Sequence, residues 1–193
     1  MNLYVFGRGL CRSFFSTTYR VETIGLENIP KEGPVLLCSN HIHNFDPPFL
    51  GSYVPRKVHY MAKAELFKVP LLGRMITAVG AFPVKRGAGD KQALKLGLKI
   101  LKEGEALGLF PEGTRSKDGK LGKGLAGAGF FALRTDAVVI PCAIIGSYKP
   151  FSKLRVIYGE PLEMESLRAA KASSGEVTDY IMKAIAELLH KHK

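Results

Sequence analysis

His41 and Asp46, in the run Ser39-Asn40-His41-Ile42-His43-Asn44-Phe45-Asp46-Pro47-Pro48, are the residues of this chain best suited to moving a proton. The preceding Pro34-Val35-Leu36-Leu37-Cys38 is a short apolar run of the kind a buried strand presents. Asp46 followed by Pro47 has the form of a helix N-cap with proline in the first turn. A ring at a strand end and a carboxylate at a helix start can meet across so short a loop. The carboxylate then fixes the ring tautomer and stabilises the imidazolium, which leaves the other ring nitrogen to take a proton. No serine, cysteine or threonine fills the nucleophile place of a triad, so the attacking atom must be a hydroxyl of the substrate. The chemistry expected is acyl transfer to an alcohol. An ordinary imidazole, with a pKa of about 6.5, is largely neutral near pH 7 and can serve as the base.

Two further stretches fall where a strand is expected to meet a loop. Phe82-Pro83-Val84-Lys85-Arg86 puts two cations at a strand end, and Phe110-Pro111-Glu112-Gly113-Thr114-Arg115-Ser116 delivers a carboxylate, a flexible glycine and an arginine together. In open α/β sheets ligands gather beyond strand ends, so these groups can converge with His41 on one cleft. Arg115 offers a planar fork suited to phosphate, and Lys85 and Arg86 a second anchor. Glu112 is expected to hold that arginine or a substrate hydroxyl, and Thr114 and Ser116 to cap or brace their loop. A fourth stretch, Val138 to Ala143, is a strand with Pro141 inside it; proline cannot donate to a ladder and should mark an edge, a bulge or a bend.

Other chemistries compete for the same residues. His41-Ile42-His43 with Asp46 could begin the site of a metal-dependent hydrolase. Zinc needs at least three protein ligands, His59 is the only other histidine before the C-terminal tail, and no Cys or His pair completes a set. No metal is expected. Cys38 could be imagined as a thiol nucleophile, but its place in an apolar strand makes it a buried residue. His43 is left without a task. Gly122-Lys123-Gly124-Leu125-Ala126-Gly127 formally matches a dinucleotide fingerprint, yet it does not directly follow a strand; its small residues are expected to let a helix pack closely.

At 193 residues, 46% of them hydrophobic, the chain suits one domain with a sizeable core. The 28 Lys+Arg against 17 Asp+Glu give a formal charge of +11, which favours anionic partners: a lipid surface, a phosphorylated substrate, an acidic carrier protein or nucleic acid. No aromatic platform or helix-turn-helix pattern accompanies the basic loops (Lys117, Lys120, Lys123, Lys149, Lys153, Arg155), so nucleic acid is not expected. An odd set of three cysteines without metal-type spacing indicates reduced thiols and a cytosolic setting. The apolar stretches are too short to span a bilayer, and the N-terminus lacks the features of a signal peptide. Leu3, Phe6, Leu10 and Phe14 instead recur at helical spacing with Arg8 and Arg12 elsewhere on the wheel. Residues 1–19 are therefore expected to form an amphipathic helix, which the pattern suits equally to a membrane interface as an anchor or to packing on the protein's own core.

The rest of the chain, 20–193, reads as strands alternating with helices. Strands are expected at Arg20 to Leu26, Pro34 to His41, Lys57 to Ala62, Ala81 to Lys85, Ala106 to Phe110, Ala137 to Ile145 and Leu154 to Tyr158. Helices are expected at Asp90 to Glu103 (capped by Asp90), Leu125 to Arg134 and Glu176 to His192, with short helical or loop segments between Glu65 and Val79. The fold class expected is α/β: a single domain with a mixed, mostly parallel sheet flanked by helices.

Taken together and in this order, the motifs resemble those of the glycerolipid acyltransferase family, the group that acylates lysophosphatidate. Asn40-His41 with Asp46, Phe82-Pro83-Val84-Lys85-Arg86, the unbroken Phe110 to Ser116 and Val139-Ile140-Pro141 match its four motifs. Met61 to Pro70 is similar to the segment between its first and second. The likeness covers roughly residues 20 to 160. It implies that His41 is the general base on the sn-2 hydroxyl of 1-acylglycerol 3-phosphate, with Asp46 orienting it, and that phosphatidate forms without an acyl-enzyme. It implies an acyl thioester of acyl carrier protein or coenzyme A as donor, no cofactor, and phosphate held by Lys85 or Arg86 and Arg115. Glu112, Gly113 and Thr114 would shape the acceptor site. It further implies peripheral attachment to the cytoplasmic face of an anionic membrane. Related members acylate other lysolipids or glycerol 3-phosphate. This chain has Lys85 where the family often has an acidic residue, its N-terminal region is short, and its acyl tunnel is expected along Leu66 to Val79. Oxyanion donors are expected among backbone N–H groups.

Overall fold

The computed structural model describes residues 3–85, 89–116 and 118–193. In chain order the strands are β1 (Arg20–Ile24), β2 (Val35–Ser39), β3 (Val58–Lys63), β4 (Ala81–Val84), β5 (Ala106–Leu109), β6 (Val138–Gly146) and β7 (Lys153–Tyr158). The helices are α1 (Leu3–Thr18), α2 (Asp46–Tyr53), α3 (Pro70–Ala78), α4 (Lys91–Lys102), α5 (Gly127–Arg134), α6 (Glu165–Ala169) and α7 (Ser174–Lys191). One sheet takes all seven strands in the order β1-β7-β6-β2-β5-β3-β4. Strands β6, β2, β5, β3 and β4 run parallel, and β6 meets β7 antiparallel. The mixed, mostly parallel α/β sheet expected from the sequence is the one observed.

The central strand, β2, is buried from end to end, as a strand covered on both faces must be. Its period of two sends Val35 and Leu37 to one core, with Phe15 and Tyr19 from α1 and its end and Phe49 and Leu50 from α2. Leu36 and Cys38 go to the other, with residues of α4, α5 and α7. Cutting one of these buried leucines back to alanine should cost about 2–5 kcal/mol.

Local chemistry accounts for the element ends. Asp90 caps α4 as expected, accepting from Gln92 N and Ala93 N at 3.0 and 3.1 Å; its other oxygen accepts from Lys85 N at 2.9 Å. These bonds hold its carboxyl below the usual range, the Lys85 N–H contributing most. The last helix starts earlier than expected because Ser173 and Glu176 form a capping box. β1 stops at Ile24 because Gly25 takes a φ of 77°, and a side chain there would meet the carbonyl of Tyr158. Pro141 lies in an interior strand rather than at an edge. Its ladder to β7 covers only Cys142 to Gly146, so the missing donor falls where β7 has ended.

Two expectations for the apolar segments are revised. The segment Leu66 to Val79 forms a 3-10 turn (Ala64–Lys68) and α3, and it turns Val69, Leu71 and Met75 outward rather than lining a tunnel. The helix expected from Leu125 begins as α5 only at Gly127. Among the described residues no helix is long and apolar enough to cross a membrane.

Candidate active site

Parallel pairing explains how the first and third motifs meet. Val35 to Cys38 of β2 pair in register with Ala106 to Leu109 of β5, so the residues that follow, Asn40-His41 and Phe110-Pro111-Glu112, leave the sheet side by side. β6 flanks β2 on the other side, Ser39 opposite Cys142, and delivers Gly146-Ser147-Tyr148 to the same edge. Asn40 prolongs the β2–β6 ladder with its side chain. Its Oδ1 accepts from Ile144 N at 2.7 Å and its Nδ2 donates to Ile144 O at 3.0 Å. The chain can thus leave the sheet at His41 without orphaning the backbone of β6.

The His41–Asp46 pair expected from the spacing is formed. His41 Nδ1 lies 2.7 Å from Asp46 Oδ2, and Asp46 has no exposed surface. The same oxygen accepts from the backbone N–H of Ile42 and His43 at 2.6 and 2.7 Å. One expectation is corrected here: Asp46 is the first residue of α2 and its side chain does not cap that helix. It reaches back into its own loop, where the N–H groups of Ile42 and His43 and the imidazole outcompete the helix for its oxygens. One face of the His41 ring stacks on Phe110, centroids 4.2 Å apart and planes 25° apart. Nδ1 faces Asp46, the His41 side chain is 11% exposed, and Nε2 has no hydrogen-bond partner among the described residues.

Glu112 is buried beside this pair, and of the two tasks expected of it the structure does not show the hold on Arg115. Its Oε1 accepts from His41 N at 2.9 Å and its Oε2 from Gly122 N at 2.8 Å. Neither oxygen holds Arg115. The carboxylate instead fixes the backbone under the imidazole. Gly113 follows with φ 66°, where a side chain would strike Leu125 Cδ1, and its N–H closes a turn on Phe110 O at 2.9 Å. That turn brings Ser116 N to within 2.7 Å of His41 O, so Thr114 and Arg115 sit exposed next to His41. Ser116 Oγ donates to Asp118 at 3.1 Å, the loop brace expected of it. Among the described residues Arg115 has no ion-pair partner.

The second motif stands apart. Lys85 follows the edge strand β4, three strands from β2, which at about 4.8 Å per strand is about 14 Å away across the sheet. It is exposed and shares the sheet edge with His41 without adjoining it. Arg86 lies outside the described residues.

The rival assignments can be placed as well. The His43 ring stacks on Tyr148 at 4.3 Å and accepts from Phe45 N at 3.3 Å, so its side chain bonds neither His41 nor Asp46. Among the described residues no three His, Cys, Asp or Glu side chains gather as metal ligands. Cys38 is fully buried, and burial pushes its thiol up to about 12, which removes it as a nucleophile.

Sequence reasoning missed Tyr148. Its hydroxyl donates to Asp46 Oδ1 at 2.7 Å, from 102 residues away. Burial, then the neighbouring Asp46 carboxylate, drives its phenol far above the usual range, so it remains a donor at any working pH. The sequence carried no signal for it, because Tyr148 is placed only by β6 lying parallel to β2 and ending two residues before it. A cleft of about 510 Å³, a usual ligand-site size, opens beside it between Asn40, Ile42, His43, Ile144 and Leu189.

Comparison with known proteins gives the same picture. Residues 20–145 match the acyltransferase family model. The chain is 32% identical, over 98% of its length and 98% of the relative's, to 1-acyl-sn-glycerol-3-phosphate acyltransferase of Bacillus subtilis (strain 168). It is 35% identical over 134 residues to a chloroplastic 1-acyl-sn-glycerol-3-phosphate acyltransferase of Arabidopsis thaliana, covering 68% of this chain and 37% of that one. The crystal structure of the 1-acyl-sn-glycerophosphate acyltransferase PlsC from Thermotoga maritima matches with a TM-score of 0.76 at 25% identity, over 99% of this chain and 78% of that one.

Proposed function

Because this chain belongs to the acyltransferase family, we propose that it transfers an acyl group from a thioester to the sn-2 hydroxyl of 1-acylglycerol 3-phosphate, making phosphatidate. The observation that carries the reading is the His41 ring. It is tied through Nδ1 to a fully buried carboxylate, its Nε2 is unpartnered, and an exposed guanidinium lies beside its loop. His41 Nε2 takes the proton of the acceptor hydroxyl while Asp46 holds the Nδ1 proton in place and balances the imidazolium. The oxygen attacks the thioester carbonyl; the tetrahedral oxyanion collapses, the C–S bond breaks, and the thiolate leaves with the proton from Nε2. A base of this kind contributes about 10²–10⁴ in rate, and positioning of the two substrates most of the rest.

Arg115 supports the phosphate side of the reading, since its five-donor fork is exposed and unpaired one residue from Ser116, whose N–H bonds His41 O. Lys85 acts at longer range, as a field rather than a contact. The donor is the acyl thioester of acyl carrier protein or coenzyme A, and the charge of +11 favours either.

The proposed seat is the cytoplasmic face of an anionic membrane, held without a span. α1 buries Phe15 in the core yet leaves Leu3, Phe6, Leu10 and Phe14 exposed. A Cβ on Gly7 would lie 3.1 Å from Val79, so α1 packs closely on the end of α3, whose Leu71 and Met75 are also exposed. Phe14 in turn packs edge-on against Phe45 of the active-site loop at 5.9 Å. An apolar surface continuous with the active-site loop suits an acceptor drawn from a leaflet.

The experiment is an acceptor panel (1-acylglycerol 3-phosphate, other lysolipids, glycerol 3-phosphate) with one thioester donor, on wild type and His41→Ala. Preference for 1-acylglycerol 3-phosphate, lost in the variant, is expected. Turnover undiminished without the imidazole would refute the mechanism, and preference for another acceptor would refute the substrate.

A further inference from the structure

Asp46 uses its two oxygens unequally. Oδ2 accepts three donors, two of them backbone N–H groups that no side-chain change can remove. Among the described residues, Oδ1 has one donor, the hydroxyl of Tyr148. At a carboxylate with no exposed surface that donor decides two things: the plane of the carboxylate, and how much of its charge is left to act on the imidazole.

Tyr148 is built in rather than loosely apposed. Gly146, at φ 125°, ends β6 where a side chain would lie 2.2 Å from the carbonyl of Lys153, and this turn carries Tyr148 back over the sheet edge. Its ring is then held from three elements. His43 of the active-site loop stacks on it at 4.3 Å, Tyr19 beyond α1 meets it edge-on at 5.8 Å, and Phe49 of α2 does so at 6.2 Å. A phenol so enclosed has one place to put its proton.

We propose that Tyr148 is a positioning residue for the His41–Asp46 pair. It keeps Oδ2 in line with Nδ1, and it draws charge off the carboxylate so that the ring stays a usable base instead of a trapped imidazolium. The inference rests on the reading of His41 as general base. Both effects have a definite sign. Without the hydroxyl, three donors remain on Oδ2 and more of the carboxylate's charge bears on the ring. The imidazolium is then favoured and a smaller share of the ring is neutral at a given pH. Titratable or charged groups around the ring are Asp46, bonded to it, His43 in its own loop, Glu112 on its backbone N–H and the exposed Arg115 in the neighbouring third-motif loop. Tyr60 of β3 lies behind Phe110, and Tyr19 behind Tyr148. Of these, Tyr148 alone can be changed at Asp46 by deleting a single atom.

Tyr148→Phe keeps the ring and its stacking and removes only the donor. Its plateau kcat should fall about tenfold through lost alignment of Oδ2 with Nδ1, which outweighs the added charge on the ring, with KM for the acceptor within about twofold. The acid limb of kcat/KM against pH should move to higher pH by roughly half a unit to one unit. NMR titration of the His41 ring in the folded variant should move the same way, which separates tuning from a general loss of structure. An acid limb and a ring titration both unshifted in a folded protein would overturn the proposal, however large the rate loss. His41→Ala run in parallel keeps the two readings distinct. If it retains turnover, the base assignment has failed; if it is inactive while Tyr148→Phe shows no shift, only the role of Tyr148 has.

Discussion

Replacing Asp46 with asparagine removes one charge from the centre of the site and leaves its shape almost intact. The asparagine carbonyl can take the place of Oδ2, where three donors converge at 2.6–2.7 Å, and the amide then faces the Tyr148 hydroxyl, which can turn from donor to acceptor. The ring tautomer is therefore kept and the ion pair is lost. Two unit charges about 4 Å apart at an effective dielectric constant of about 20 interact by about 4 kcal/mol. The ring carries only part of a positive charge in the transition state, so about 2–4 kcal/mol of stabilisation disappears, or roughly 30- to 1,000-fold in kcat. Folding also loses some strength in four hydrogen bonds that were charge-assisted. A cost of about 1–3 kcal/mol is expected, which for a chain of this size lowers Tm by about 2–4 °C per kcal/mol. The assay is steady-state turnover with a saturating thioester donor, alongside a thermal melt. A folded Asp46→Asn protein within about threefold of wild-type kcat would refute the reasoning, because the carboxylate would then be holding a loop and not serving a base.

Arg115→Lys should raise KM for a phosphorylated acceptor about tenfold with kcat nearly unchanged, since an ammonium cannot reproduce the planar fork; a fall in kcat alone would refute the assignment. Cys38→Ala should retain turnover, its thiol being sealed and pushed up to about 12, and an inactive but folded variant would reopen the thiol nucleophile. Stability should fall as pH rises above about 9, through the range in which unfolded cysteine ionises while Cys38 in the fold does not. A folded pKa raised above its unfolded value contributes stability only below the latter and loses it on the way to about 12, and Cys142, Tyr60 and Tyr158 shift in the same direction. Urea melts at pH 8 and pH 10.5 with equal midpoints would contradict this. Phe6→Glu with Leu10→Glu, both on the exposed side of α1, should lower partition onto anionic vesicles about 100-fold without lowering Tm; unchanged binding would remove α1 from the membrane contact.

What could be read from the sequence was what is local along the chain. His41 and Asp46 lie five residues apart across one strand–loop–helix turn, so spacing and residue type sufficed to pair them. The Asp90 cap was readable for the same reason. Strand order was not, because the alternation of elements says which segments are strands but not that β2 lies between β5 and β6. Tyr148 depends on that order: it reaches Asp46 only because β6 is parallel to β2 and ends at the same edge. The place of Lys85 was hidden for the same reason, since only the strand order sets it three strands from β2. The work of Asn40 and Glu112 was hidden differently, since their partners are backbone groups that every residue type presents.

Glu112 has a consequence for which replacements the chain can tolerate. Its side chain is a strut between two backbones, touching one at 2.9 Å and the other at 2.8 Å, and both ends must accept. Glutamine keeps the length but turns one end into a donor facing an N–H. Aspartate keeps two acceptors but is a methylene short of the span. Neither near-relative can stand in, because both ends of the span are backbone N–H groups. The position is thus narrowly constrained by carpentry rather than by acidity, and a slip there would tilt the whole ledge on which the imidazole rests.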